Sequence, residues 1–324
     1  MATPPHNRSL RASLAIAATT AASLVVPLLG TGAAPVASAA APTPSARLSA
    51  ACLAPTPAKL ADPHFGVSLS ANPTLADDRA TEQRRFGRLP IARIYDPSIP
   101  PSNAWERRKP QLKGMSVITS FRMAPQEVLA GRYDSQLRQF FATAPRKRDV
   151  FWSYFHEPEP NIDAGQFTAR QYRRAWRHIA TIAGSLCRPR LYPTLILTGW
   201  TAESASGRSW RDYYAGDRFV SVLGWDPYNQ AVGTPRTYRA PRDVFGAVVR
   251  ASHRSGKPWG LAETGTARVS GDGGAGRARW IARSGRYLMR KDPLFVSYFQ
   301  STNKGDFELR DSPSIRAYRK LVQS

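Results

Sequence analysis

Eight short runs of apolar and aromatic residues recur from residue 64 onward, each followed by a turn and a polar, helix-patterned stretch. No other feature constrains the fold as tightly. The runs are His64–Leu69, Ile91–Tyr95, Met115–Phe121, Val150–Phe155, Leu191–Leu197, Phe219–Trp225, Pro258–Ala262 and Leu294–Phe299. Near-continuous apolar runs of this length fit strands covered on both faces, and a strand followed by a helical crossover runs parallel to the next. Eight such units predict an α/β fold of the (β/α)8, or TIM barrel, class. An open doubly wound sheet is the rival, but no glycine-rich phosphate turn follows the first run.

The helix after the fourth run is the best defined. Thr168-Ala169-Arg170-Gln171 has the spacing of a capping box, and Tyr172, Trp176, Ile179 and Ala183 then repeat at helical intervals. Trp176 and His178 are therefore helix residues. The glycine cluster Gly271 to Gly276 reads as a mobile loop after the seventh run and a poor phosphate cradle, since no Lys-Ser/Thr pair follows it.

Ahead of the repeats, residues 1–39 carry Arg8 and Arg11, an apolar run near Leu14 to Leu29, and Ala37-Ser38-Ala39, with no acidic residue. That order predicts a cleaved secretory signal, and so a secreted protein with no membrane span after its removal. Residues 40–60 read as an Ala/Pro-rich arm, and 61–324 as the catalytic-size barrel. Cys52 and Cys187, the only cysteines, both follow the cut and are expected to form a disulfide. The arm is long enough to cross the barrel floor, so the bond would hold it there as a lid.

Lys+Arg outnumber Asp+Glu by 46 to 23, but only eight of the basic residues are lysines and the arginines are spread over nearly every polar stretch. This pattern predicts a solvated Arg-rich surface and no nucleic-acid partner; an anionic cell-wall polymer is the alternative partner for that surface. A monomer is expected. Neither a cofactor nor a metal site is expected, as zinc spacing is absent.

In a barrel of this class the reactive groups sit at the C-terminal ends of strands. Three ends stand out: Phe155-His156-Glu157-Pro158-Glu159-Pro160, Trp225-Asp226-Pro227-Tyr228-Asn229 and Ala262-Glu263-Thr264-Gly265. Glu157 and Glu263 would face each other across the mouth. Two facing carboxyl groups are the equipment for glycoside hydrolysis, one protonating the leaving oxygen and the other attacking or stabilising the anomeric carbon. Phe155 and Pro158 would desolvate Glu157 and keep it protonated, while Arg93 and the Tyr228 hydroxyl would keep Glu263 ionised. Glu159 is a second candidate acid. His156 either orients the acid or binds a sugar hydroxyl, or else it is packed barrel interior. Trp200, Trp225 and Trp259 are candidates for stacking on sugar rings, each with core packing as the alternative. Asp226 completes the substrate-binding set.

These three strand ends resemble the clan A glycoside hydrolases, and most closely family 26, the β-mannanase family, over residues 64–324. The resemblance implies Glu157 as acid/base, Glu263 as nucleophile, Tyr228 as the tyrosine that hydrogen-bonds the nucleophile and Arg93 as a strand-two arginine beside it. It also implies a retaining, endo-acting hydrolase of a β-linked polysaccharide or oligosaccharide, of mannan type. Pro158-Glu159-Pro160 departs from the family's usual turn. The alternative reading is a non-catalytic carbohydrate or cell-wall binder on a hydrolase-like barrel.

Overall fold

A computed structural model describes residues 48–71 and 74–324; the signal segment and the start of the arm lie outside the described residues. Eight strands, β1 (His64–Ser68), β2 (Ile91–Tyr95), β3 (Ser116–Phe121), β4 (Val150–Tyr154), β5 (Leu191–Thr198), β6 (Val222–Asp226), β7 (Trp259–Thr264) and β8 (Phe295–Tyr298), pair in parallel in chain order. The last returns to the first and closes a barrel. The strand count and order are those predicted.

Two boundaries differ from the sequence reading by more than one residue, each for a local reason. Phe219 precedes β6, since its amide closes a turn on Gly216 and its carbonyl accepts from Trp176 Nε1 at 2.8 Å. β7 runs on to Thr264, which pairs with Tyr298, so Glu263 sits within the strand's last turn of pleat.

Inside the barrel the side chains change character with height. The floor is a cluster that includes Ile91, Ile118, Phe151, Tyr192, Val222 and Phe295, each within the first three positions of its strand. One step up, alternate positions carry Arg93, Ser120, Ser153 and Thr194, all fully buried. The pleat repeats every two residues, so an apolar first position and a polar third share the same inward face. The polar layer becomes the floor of the site.

Outside the sheet, the helix Ala169–Gly184 starts on the expected capping box. Thr168 Oγ1 accepts from the Gln171 amide at 3.1 Å and Gln171 Oε1 from the Thr168 amide at 2.8 Å, a device of about 1 kcal/mol. Its Tyr172 and Trp176 stack on Tyr154 and Trp152 of β4 at 5.7 and 5.6 Å, fixing the strand that leads to Glu157.

Below, the arm begins with the short helix Ala50–Leu53. Cys52 and Cys187 are bonded, as predicted, and Leu53 packs against Gly184, where a Cβ would come within 2.7 Å of it. Leu60 then rests on the floor cluster just before β1. The glycine-rich stretch, in contrast, is organised rather than loose. Asp272 accepts from the amides of Gly274, Gly276 and Arg277 and from the Tyr238 hydroxyl, filling the N-terminus of the helix Ala275–Met289 with its own carboxylate. Among the described residues no helix is long and apolar enough to cross a membrane.

Candidate active site

A cleft of about 890 Å³ opens at the C-terminal end of the barrel, and both Glu157 and Glu263 line it. Each is placed by a different device. Glu157 follows β4 in a turn where Phe155 and Glu157 itself take left-handed backbone angles, φ 47° and 50°. Side chains avoid this region, and such turns persist where the surroundings over-determine them. Here they do: the Phe155 amide donates to Phe121 of β3, the Glu157 amide to Ile196 of β5, and Arg122 Nη2 to the His156 carbonyl at 3.2 Å.

Glu159, the second candidate acid, is part of that support. It is fully buried, and its Oε1 accepts from the Thr198 amide and hydroxyl and from the Thr201 hydroxyl, the last at 2.6 Å. That ties the acid's turn to the end of β5 and turns Glu159 away from the cleft.

Glu263 is held from two sides. Tyr228 donates to its Oε2 at 2.8 Å and Arg93 reaches its Oε1 at 3.3 Å across the barrel interior from β2. Tyr228 is wedged edge-on between Phe299 and Phe307, and an isolated bridge to Gly265 fixes its backbone. Arg93 is fully buried and Glu263 is its only ion-pair partner among the described residues. A buried guanidinium without a counter-charge costs several kcal/mol, a cost that its pairing with Glu263 offsets.

The two glutamates sit in different surroundings. Burial first, then repulsion from Glu263 and Glu159, pushes the Glu157 carboxyl up to about 8, despite the opposing pull of Lys304 and Arg93. It holds its proton at neutral pH. Asp226, at the end of β6, also lines the cleft; burial and repulsion from Glu263 and Glu157 hold it well above the carboxylate range, and neither of its oxygens has a hydrogen-bond partner among the described residues. His156 also lines the cleft, with Nδ1 on Ser120 Oγ at 2.9 Å. Burial and the charges of Arg93, Arg122 and Lys304 keep its ring neutral.

Of the three candidate stacking tryptophans, only Trp200 reaches the cleft, 52% exposed on the loop after β5. Gly199 before it packs so closely on Pro227 that a Cβ would come within 2.6 Å. Trp225 and Trp259 correct the sequence reading, for both are core. Trp225 alternates with the inward Asp226, so it points out of the barrel, where its Nε1 donates to Ser252 Oγ at 2.9 Å on the helix Pro241–Ser255. Trp259 opens β7 at the opposite end from the mouth and is 3% exposed.

Sequence reasoning missed four residues here. Tyr95, 40% exposed at the end of β2, lies 6.0 Å from the His156 ring. Arg122 directly follows β3, and Ser120 is two residues earlier on the same face; the strand-end rule that picked Glu157 applies equally to Tyr95 and Arg122. Lys304 comes from the loop after β8, where nothing in the local sequence marks it.

The sequence matches no protein-family model and no curated protein. Solved structures do match. The catalytic domain of a family 26 endo-β-1,4-mannanase from Bacillus sp. JAMB-750 superposes with a TM-score of 0.58 at 11% identity, covering 81% of this chain and 86% of that one. The chain has the fold of the family 26 mannanases. A modular endo-β-1,4-mannanase from Cellulomonas fimi gives 0.56 at 11% identity over 81% and 71% of the two chains. A glucosidase from Croceicoccus marinus gives 0.59 at 12% over 83% and 69%. The likeness to these mannanase-type barrels is one of architecture, at identities where sequence comparison alone is silent.

Proposed function

We propose that the protein is a secreted, retaining glycoside hydrolase that cleaves a β-linked polysaccharide or oligosaccharide of mannan type by double displacement, acting within the chain. The observation that carries this reading is the asymmetry of one carboxyl pair in one cleft: Glu263 tied to Arg93 and Tyr228, Glu157 held protonated. In the first step Glu263 attacks the anomeric carbon while Glu157 gives its proton to the departing glycosidic oxygen. In the second, Glu157, now a carboxylate, takes a proton from water as that water displaces Glu263. Arg93 and Tyr228 orient the nucleophile; neutral His156 and the Trp200 face offer a hydroxyl partner and an apolar platform to the sugar. Retention requires the two carboxyl groups about 5 to 5.5 Å apart, too close for a water between them.

The test is turnover of mannan, mixed-linkage glucan, xylan and cell-wall glycans, with product configuration followed by NMR. The native chain releases the retained anomer from at least one. Glu263→Ala loses on the order of 10⁴-fold in kcat, and azide restores product as the inverted glycosyl azide. Tight glycan binding with no turnover by the native chain sinks the hydrolase and leaves a carbohydrate binder.

A further inference from the structure

The cleft carries two cations, Arg122 and Lys304, that no ion pair among the described residues neutralises. Arg122 is partly buried. Its Nη2 is used on the His156 carbonyl and its plane lies 4.5 Å over the Phe155 ring, leaving the rest of the guanidinium fork without a protein partner among the described residues. Lys304 stands on the loop after β8 and is exposed to the cleft. That loop is not free to swing: the Gly233 amide donates to the Lys304 carbonyl at 2.7 Å, and Gly305 packs so closely on Gly233 that a Cβ would come within 2.9 Å of its oxygen. Lys304 itself is held at φ 62°.

Most of the remaining charges of the cleft are spoken for; Glu203 is the exception, engaged by no ion pair among the described residues. Asp96 is paired with Arg108, Glu263 with Arg93, and Arg208 with Asp163, while Arg239 is engaged on the Asp243 carbonyl. Glu203 stands with Trp200 on the loop after β5. No Asp or Glu occurs in residues 1–47 or at 72 and 73, so the undescribed residues hold no carboxylate side chain for either cation. Both cations act on the same place, since Arg122 and Lys304 each bear on His156, Lys304 bears on Glu157, and Glu157 on Arg122.

We infer that the substrate bears a negative charge on a sugar next to the cleaved bond, received by Arg122 and Lys304. An Arg fork beside a Lys point charge suits a carboxylate, as in a uronic acid, or a sulfate ester. The chemistry supports the pairing. Two bare cations beside a general acid favour loss of its proton, and a bound anion cancels that field, so the acid holds its proton more firmly once substrate is seated. This inference rests on the hydrolase reading for its meaning but is tested by binding apart from it.

Glu263→Gln protein is titrated by calorimetry with a neutral β-linked tetrasaccharide, the same backbone carrying a uronic acid, and the same backbone carrying a sulfate. A charged form is expected to bind at least about tenfold tighter, with the advantage lost at high salt and in Arg122→Gln or Lys304→Gln. A uronate advantage over sulfate assigns the carboxylate; equality assigns a general anion. Lys304 is exposed, so its variant folds and keeps the test alive if Arg122→Gln does not. Neutral sugar binding as well as both charged forms, a preference untouched by both variants, or no binding at all overturns the inference. A charge preference with no turnover by the native chain leaves this inference standing and removes the hydrolase.

Discussion

The floor and the mouth of this barrel are built from the same strands and by opposite physics. At the floor, Ile91, Phe151, Val222 and Phe295 fill the interior with atoms that lose nothing by leaving water, and Leu60 closes them from below. Four residues further along the same strands, Tyr95 and Asp226 stand at the mouth, with Arg93 between floor and mouth on β2. Glu157, Asp226 and Glu263 crowd there with one buried arginine among them, an arrangement that opposes folding. The lesson is a division of labour along the strand: the first positions supply stability that the last ones consume, which lets the mouth hold a carboxyl at a raised pKa without the barrel opening.

The sharpest way to break this comparison is to release the floor. Cys52→Ser opens a link across a sequence separation of 135 residues, and the chain-entropy estimate puts the loss at about 4 to 5 kcal/mol. The expected result is a large fall in melting temperature with kcat/KM unchanged at temperatures where the variant is folded. An unchanged melting temperature would show that the arm contributes nothing to the floor.

At the mouth the converse holds. Tyr228→Phe removes one hydrogen bond to the Glu263 carboxyl group, about 1.5 to 3 kcal/mol, and Glu263, the nucleophile in the proposed reading, loses its aim rather than its place. Steady-state kinetics should show kcat lowered about 10- to 100-fold with little change in melting temperature. A variant as active as the native chain would remove Tyr228 from the machinery.

The smallest effect is a slope. Burial raises the Glu157 carboxyl to about 8 in the native state, while in the unfolded chain it titrates near the ordinary carboxylate value. Between those two pH values the native state holds a proton that the unfolded state has lost, so stability falls as pH rises from about 4.5 to 8. Denaturant titrations across that window should show a decline on the order of 1 to 3 kcal/mol, flattened in Glu157→Gln. In the proposed reading the same group sets activity, so the alkaline limb of kcat/KM is expected to fall as pH passes its raised pKa. A slope identical in Glu157→Gln would place the linked proton elsewhere.

Much of this was legible in the sequence because strand runs and strand ends are local signals. The eight runs, the capping box at Thr168 and Gln171, and the carboxyl residues Glu157 and Glu263 could each be read from a few neighbouring residues. Trp225 and Trp259 show where local reading fails. Aromatic character next to a catalytic motif says nothing about which face of the strand a side chain takes, and counting by two from Asp226 would have turned Trp225 outward. For Trp259 the position along the strand decides, since the first residue of β7 is far from its last. Asp272 shows another limit: a glycine-rich stretch looks loose until a single carboxylate is seen to collect its amides. Lys304 was beyond reach, because its role depends on a loop meeting Gly233 from another part of the barrel.

The bond between Cys52 and Cys187 also bears on how the barrel closes in time. β1 pairs with β8, so the last joint of the cylinder joins segments near opposite ends of the chain, and pairings that distant in sequence are slow to form and leave strand edges open meanwhile. Once the arm is linked to Cys187, the shortest covalent path from β1 to β8 runs through the sulfurs and is roughly half its former length. Halving a loop eases its closure by about 0.6 kcal/mol, or roughly threefold in rate where closure is limiting. An oxidised chain therefore seals its cylinder sooner than a reduced one and exposes the unpaired edges of β1 and β8 to neighbouring chains for less time.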